Sequence, residues 1–361
     1  MLVEYDLDAL GRRAHKERIA AGPPTMWRYS DFLPVTKLGR VVSLGEGFTP
    51  LVPAGAVGRR IGLPRLRVKD EGPNPTGTFK ARGASCGVSM AVQLGIRRVT
   101  LPTAGNAGGA WACYGAAAGL KVRVVMPRDA PRANRLECEL FGAEVMLVSG
   151  TVSDASRLVA EMVESPGWFD VSTLKEPYRI EGKKTLGLEI AEQLGWRMPD
   201  AIVYPAGGGV GIIGIWRAVQ QLRAIGWLGG DSPRLMVTQA EGCAPIVEAF
   251  ERGREESLTW RHPRTFAHGL RIPKALGSFL VLRAIRETGG SAVAVSDREI
   301  AEAMAALGGA GISACPEGAA TLAAAARLRE RGDLGPKERV VLINTGNALK
   351  YPEAMEVATG G

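Results

Sequence analysis

Short β-branched runs alternate with alanine- and leucine-rich stretches through most of this chain, and no other feature constrains its fold as strongly. Arg98–Pro102, Val122–Met126, Glu144–Val148, Ala201–Pro205, Arg234–Gln239 and Val340–Asn344 read as strands. Ala107–Ala118, Arg132–Phe141, Asp154–Val163, Thr185–Leu194, Ile212–Ile225, Asp297–Ala306 and Ala319–Arg331 read as helices. Such alternation closes as parallel sheets with right-handed crossovers. The strands are continuous apolar runs, as expected where helices cover both faces. The fold class is therefore α/β, with open parallel sheets. At 361 residues, the chain is long enough for two packed domains around separate cores.

In open parallel sheets, ligands bind outside the carboxyl ends of the strands. Three loops in that position are unusual: Thr103-Ala104-Gly105-Asn106-Ala107, Ala206-Gly207-Gly208-Gly209-Val210-Gly211 and Thr345-Gly346-Asn347. In the second, glycine lets backbone N–H groups approach an anion, and the helix that follows favours negative charge at its N-terminus. A phosphate site is one reading and a tight turn that binds nothing is the other. Gly209-Val210-Gly211-Ile212-Ile213-Gly214 also matches G-x-G-x-x-G in strand–turn–helix context. The acidic residue of a dinucleotide site belongs about 20 positions further on. Here the nearest, Glu241, comes late, and the motif lies past mid-chain. A nicotinamide dehydrogenase stays a rival.

The segment Lys69–Gly83 carries two prolines, glycines and small polar residues that force a tight, non-helical loop. Lys80 then stands where a helix begins. The positive end of the helix dipole disfavours a charged lysine there, which favours the neutral amine that attacks an aldehyde. The alternative is a surface lysine after a turn.

Composition excludes several classes. The net charge of +8 is scattered. Its densest run, Arg12-Arg13-Ala14-His15-Lys16-Glu17-Arg18, reads as a solvated helix face without interleaved aromatics, so no nucleic-acid partner is expected. Five cysteines with no C-x-x-C pair argue against a disulfide framework. Three unclustered histidines leave no expected metal site. No apolar run is long enough for a bilayer, and Met1–Arg18 has no apolar signal core. A cytoplasmic protein without a membrane partner is expected.

Asn74-Pro75-Thr76-Gly77-Thr78-Phe79-Lys80 resembles the lysine loop of the tryptophan-synthase-β superfamily of pyridoxal-phosphate enzymes. The longer segment Lys69–Gly83 is most similar to that of the threonine synthases. Four further segments agree in order. Trp27-Arg28-Tyr29, Leu33-Pro34 and Ser43–Leu51 resemble the N-terminal signature. Gly105-Asn106 resembles the asparagine loop, Pro177–Thr185 the substrate-side segment, and Thr345–Lys350 the C-terminal signature. The resemblance spans roughly residues 27 to 352.

The resemblance implies a fold type II pyridoxal-phosphate enzyme with the cofactor between two domains. The large domain would comprise 1–82 plus 186–361, and the small inserted domain 83–185. Lys80 would form the imine and shuttle protons. Asn106 would bond the ring oxygen, Gly207, Gly208, Gly209, Val210 and Gly211 would cradle the phosphate, and Thr345 would face the pyridine nitrogen. A hydroxyl there tempers the electron sink. Thr103, Ala104, Gly105 and Asn106 would receive the substrate carboxylate, and Arg179 and Lys183 would lie on the substrate side. Arg179 would meet an anionic group, since a guanidinium matches phosphate geometry, unless it serves a structural ion pair. Two departures from the pattern bear on the substrate. Ala104 stands where relatives commonly carry Ser or Thr, and Glu176 and Lys183 replace Asn and Gln. The implied activity is that of threonine synthase: a homodimeric enzyme acting on a small amino-acid substrate, O-phospho-L-homoserine. A serine/threonine dehydratase or β-replacement enzyme is the alternative from the same superfamily. A non-catalytic metabolite-binding relative is the alternative from another class.

Overall fold

Ten strands among the described residues form two sheets. They are β1 (Leu51–Pro53), β2 (Leu66–Asp70), β3 (Arg98–Pro102), β4 (Lys121–Pro127), β5 (Glu144–Val148), β6 (Phe169–Asp170), β7 (Ala201–Pro205), β8 (Arg234–Ala240), β9 (Ala292–Val295) and β10 (Val340–Asn344). The computed structural model describes residues 2–164 and 167–360. The six-stranded sheet runs β1-β2-β10-β7-β8-β9, parallel except for β1. The four-stranded sheet runs β5-β4-β3-β6 and is wholly parallel. The α/β fold class follows directly.

All six strands read from sequence are present. The short strands β1, β2, β6 and β9 were not among them. In β2 the charges of Arg67 and Lys69 disguise the pattern. Lys69 is fully buried, and its ammonium donates to Thr49 O at 2.7 Å, Glu189 Oε2 at 2.7 Å and Gln193 Oε1 at 3.0 Å. A buried lysine is tolerable when its charge is paired and its protons are placed. Such partners are 120 or more residues away for Glu189 and Gln193, so no local pattern announces them.

The chain divides into two compact units. One comprises Met1–Phe48 and Asn74–Thr185, and the other Thr49–Pro73 and Leu186–Gly361. This corrects the expected division, which placed residues 1–48 and 74–82 with the second unit. The first unit's sheet core holds Val99, Leu101, Val124, Met126, Trp111 and Tyr114. The second's holds Leu66, Val68, Val203, Met236, Val293 and Leu342.

The reason for the correction is a single carboxylate. Glu46 is fully buried. Its Oε1 accepts from Trp27 Nε1 at 2.8 Å and Ser85 Oγ at 2.5 Å. Its Oε2 accepts from the Tyr114 hydroxyl at 2.6 Å and the Leu44 N–H at 2.8 Å. Ser85 lies in the helix Lys80–Gln93 and Tyr114 in the helix Asn106–Ala117. Met26, Trp27, Leu33 and Val35 pack with Cys86 and Met90 beside this knot. The N-terminal segment is thereby an integral part of the first unit. A buried carboxylate deprived of one donor keeps its desolvation cost. Tyr114→Phe is therefore expected to lower stability by about 1–3 kcal/mol in urea unfolding, more than the loss of a surface hydroxyl.

Candidate functional site

Lys80 opens the helix Lys80–Gln93, directly after a loop tightened by two left-handed residues, Thr76 (φ 62°) and Gly77 (φ 65°). Gly77 N–H bonds Asn74 O at 2.8 Å, and the Asn74 side chain accepts from Gly47 N–H at 3.0 Å. The Lys80 ammonium lies 4.7 Å from the centre of the Phe79 ring. A second ammonium, that of Lys183, lies 5.1 Å from the same centre.

Lys183 belongs to the helix Tyr178–Gln193, which starts a full two turns before the expected Thr185. Pro177 precedes it, and the Glu176 carboxylate accepts the Arg179 N–H at 3.0 Å, capping the first turn. Gly83 and Gly182 let this helix approach the Lys80 helix closely. A Cβ on Gly182 would lie 2.1 Å from Arg82 O. One on Gly83 would lie 2.7 Å from Lys183 Nζ and 2.9 Å from Arg179 Cγ. Arg82 Nη1 bonds Thr185 Oγ1 at 2.9 Å across the same contact.

Arg179 is heavily engaged. Its guanidinium meets Glu176 Oε1 at 3.4 Å and Thr173 Oγ1 at 3.2 Å, donates to Val171 O, and lies 5.5 Å from the Trp111 ring centre. Burial lowers the pKa of this guanidinium and raises that of Glu176. Burial also holds the Lys183 amine well below the ordinary lysine range, and the charges of Lys80 and Arg179 add to the effect.

The loop after β3 brings Thr103, Ala104, Gly105 and Asn106 to the N-terminus of the helix Asn106–Ala117. Gly105 N–H is used by Thr103 Oγ1 at 3.0 Å, and Ala104 O accepts from the Asn134 side chain at 3.1 Å. The N–H groups of Ala104 and Ala107 have no protein acceptor among the described residues. They point to an anion at this helix start.

In the second unit, β7 leads into the glycine loop and the helix Val210–Ala224. Gly209 is left-handed (φ 74°), and the helix has no side-chain cap. The N–H groups of Gly207, Gly208, Gly209 and Val210 have no protein acceptor among the described residues. Gly211 differs: its N–H serves the buried Tyr204 oxygen, and a Cβ would lie 2.2 Å from that oxygen. A Cβ on Gly207 would lie 2.1 Å from Gly269 O. This run of open donors at a helix start suits a phosphate. After β10, Thr345 is buried with its hydroxyl 3.4 Å from Cys315 Sγ. Asn344 is held by Asp70 at 2.8 Å. Cys315 and Tyr204 were not read as site residues. Cys315 is indeed buried, but its sulfur also caps the helix Pro316–Glu330 by accepting from Gly318 N–H at 3.3 Å.

Comparison with known proteins bears on this arrangement. Residues 42–346 match the family model of pyridoxal-phosphate dependent enzymes. The threonine synthase of Methanocaldococcus jannaschii is 35% identical over 97% of this chain and 86% of that protein. That of Methanosarcina acetivorans is 36% identical over 98% and 86%. In fold, the chain is similar to a threonine deaminase of Solanum lycopersicum, with TM-score 0.73, 22% identity and 99% and 96% of the two chains covered. It is also similar to diaminopropionate ammonia lyase of Escherichia coli, with TM-score 0.75, 19% identity and 91% and 95% covered.

Two outcomes are expected. Gly207→Ala should weaken pyridoxal-phosphate affinity about 10-fold or more, measured by equilibrium dialysis, because its methyl group forces the loop away from residue 269. Lys183→Met should raise the melting temperature of cofactor-free protein. In the wild type, the unfolded chain binds the Lys183 proton more readily than the native state does. Between the lowered native value and the ordinary lysine range, stability therefore falls as pH falls. The methionine variant should lose that slope in pH-dependent thermal melts.

Proposed function

This chain belongs to the pyridoxal-phosphate dependent enzymes and, among them, to the threonine synthases, and we propose that it converts O-phospho-L-homoserine and water to L-threonine and phosphate. The observation that carries the reading is an open N–H cradle at one helix start together with a lysine at another, in a chain alike to those synthases over nearly all its length. Pyridoxal phosphate, when bound, draws electrons from the substrate and so permits proton loss at Cα and Cβ and departure of phosphate from Cγ. Water then adds at Cβ.

The protein's part is to hold and to move protons. Lys80 would hold the cofactor through its aldehyde, and its amine, when free, would take protons from the substrate carbons and return them. The N–H groups of Gly207, Gly208, Gly209 and Val210 hold the cofactor phosphate, and Gly211 contributes by having no side chain. Asn106 would bond the ring oxygen, and Thr345 would offer the ring nitrogen a neutral hydroxyl, which Cys315 Sγ contacts at 3.4 Å. Thr103, Ala104, Gly105 and Asn106 receive the substrate carboxylate, with Ala104 N–H as an open donor. Arg179 and Lys183 form the substrate side. The reading includes a homodimer in the cytoplasm acting on a small amino acid, with neither nucleic acid nor membrane as partner, as in the family the sequence resembles.

Two measurements test it. Borohydride reduction of the cofactor-loaded protein should fix the cofactor to the peptide carrying Lys80, and Lys80→Ala should abolish labelling. Purified protein should release phosphate from O-phosphohomoserine faster than it releases ammonia from serine or threonine. Ammonia release without phosphate release would favour the dehydratase, a reading to which the buried Glu176 carboxylate lends some weight.

A further inference from the structure

Two amines, those of Lys80 and Lys183, lie about the Phe79 ring. Lys183 is 1% exposed, yet its ammonium has neither a hydrogen bond nor an ion pair with a protein group among the described residues. Titratable groups act on it from each side. Lys80 and the Cys86 thiol, which burial keeps neutral, do so from the helix Lys80–Gln93, Arg179 from its own helix, and Glu176 from the segment before it. Glu176 is the one carboxylate in this set: its Oε2 accepts the backbone N–H of Arg179 at 3.0 Å, and its Oε1 pairs with the guanidinium at 3.4 Å without a hydrogen bond. Arg179 in turn spends its remaining nitrogens on Thr173 and Val171. The proposed function commits Lys80 to the cofactor. The loop after β3 accounts for the substrate's carboxylate. What stays unanswered is one buried amine in a cationic neighbourhood.

Desolvating an amine without a partner is costly. A second buried feature preserves that amine's place: Gly83 leaves a gap in which Lys183 Nζ sits, 2.7 Å from where a Cβ would be. A fold that only needed packing here would fill the gap with an apolar side chain. We propose that Lys183, and not Arg179, receives the phosphate of the substrate, and that it takes up a proton as that phosphate binds. The inference rests on the threonine synthase reading for the identity of the anion. Arg179 is then a positioning residue that holds Glu176 and the segment after β6 in place. The direction of proton flow follows from the surroundings. With Lys80 committed to the cofactor, burial and the charge of Arg179 still disfavour the charged amine in the resting site. An arriving dianion reverses the sign of the local field, and the proton comes from solvent.

Calorimetric titration of the cofactor-loaded protein with inorganic phosphate tests this, at about pH 8, below the ordinary lysine range. Repeating it in two buffers of different ionisation enthalpy counts the protons exchanged. With the cofactor bound, its own phosphate cradle is already filled. The wild type should take up close to one proton per phosphate. Lys183→Gln should bind about 10-fold or more weakly and take up none. Lys183→Arg, which keeps a permanent cation, should retain binding but lose the uptake, and it decides the matter if the glutamine variant does not fold. Proton uptake absent from the wild type, or unchanged in either variant, would overturn the proposal. Phosphate release from O-phosphohomoserine, measured on the same wild-type preparation, separates this failure from failure of the proposed function.

Discussion

Parallel pairing is the constraint on which the rest of the molecule depends. A parallel ladder must send the chain back along the sheet after every strand, and here helices do so on both sheets. The carboxyl ends of the parallel strands therefore face the same edge of their sheet. The loops after β3 and β7 are places where a helix starts at that edge without a side-chain cap. Glycine is what makes this possible, since it removes the methyl groups that would otherwise meet Gly269 or Tyr204. Backbone donors suited to an anion thus come from the topology, before any particular side chain is considered.

Much of this was legible in the order of residues. Long apolar strands announce themselves, and six of the ten were read with ends within one residue. The site's backbone donors were legible for the same reason: a glycine run or a Gly-Asn pair at a strand end is a local signal. What could not be read depends on partners distant in sequence. Arg67 and Lys69 made β2 look like a surface, because the residues that neutralise Lys69 lie beyond position 180. The N-terminal segment was assigned to the wrong unit because nothing near Glu46 says that Ser85 and Tyr114 close around it. For Arg179 the sequence left open an anionic ligand or a structural ion pair, and Glu176, three positions earlier, lies 3.4 Å from its guanidinium.

Buried charge is handled in three different ways in this chain. Glu46 is answered by neutral donors, Lys69 by a carboxylate and two oxygens, and Arg179 by Glu176. The first two are fully hydrogen-bonded within the protein, whereas the third leaves Arg179 Nε and Glu176 Oε1 paired only by charge. The Lys183 ammonium has no hydrogen bond or ion pair with a protein group among the described residues, and a buried charge left so carries a cost in stability. The departures from the family pattern at 176 and 183 then read as one change. Replacing two neutral amides by an acid and a base alters which group at this place is occupied and which is available.

The close contact at Gly83 and Gly182 has a consequence for how such an enzyme can change. With backbone against backbone at 182 and an amine filling the gap at 83, the two helices behave as one rigid body at this point, and neither can slide to admit a longer or shorter substrate. Adaptation to a new substrate is then confined to exchanging side chains on a fixed frame. Positions 176, 179 and 183 are three settings of one dial, and mutations arriving one at a time must pass through states with an unmatched charge. Relatives should accordingly show these positions changing together, with Gly83 and Gly182 held constant.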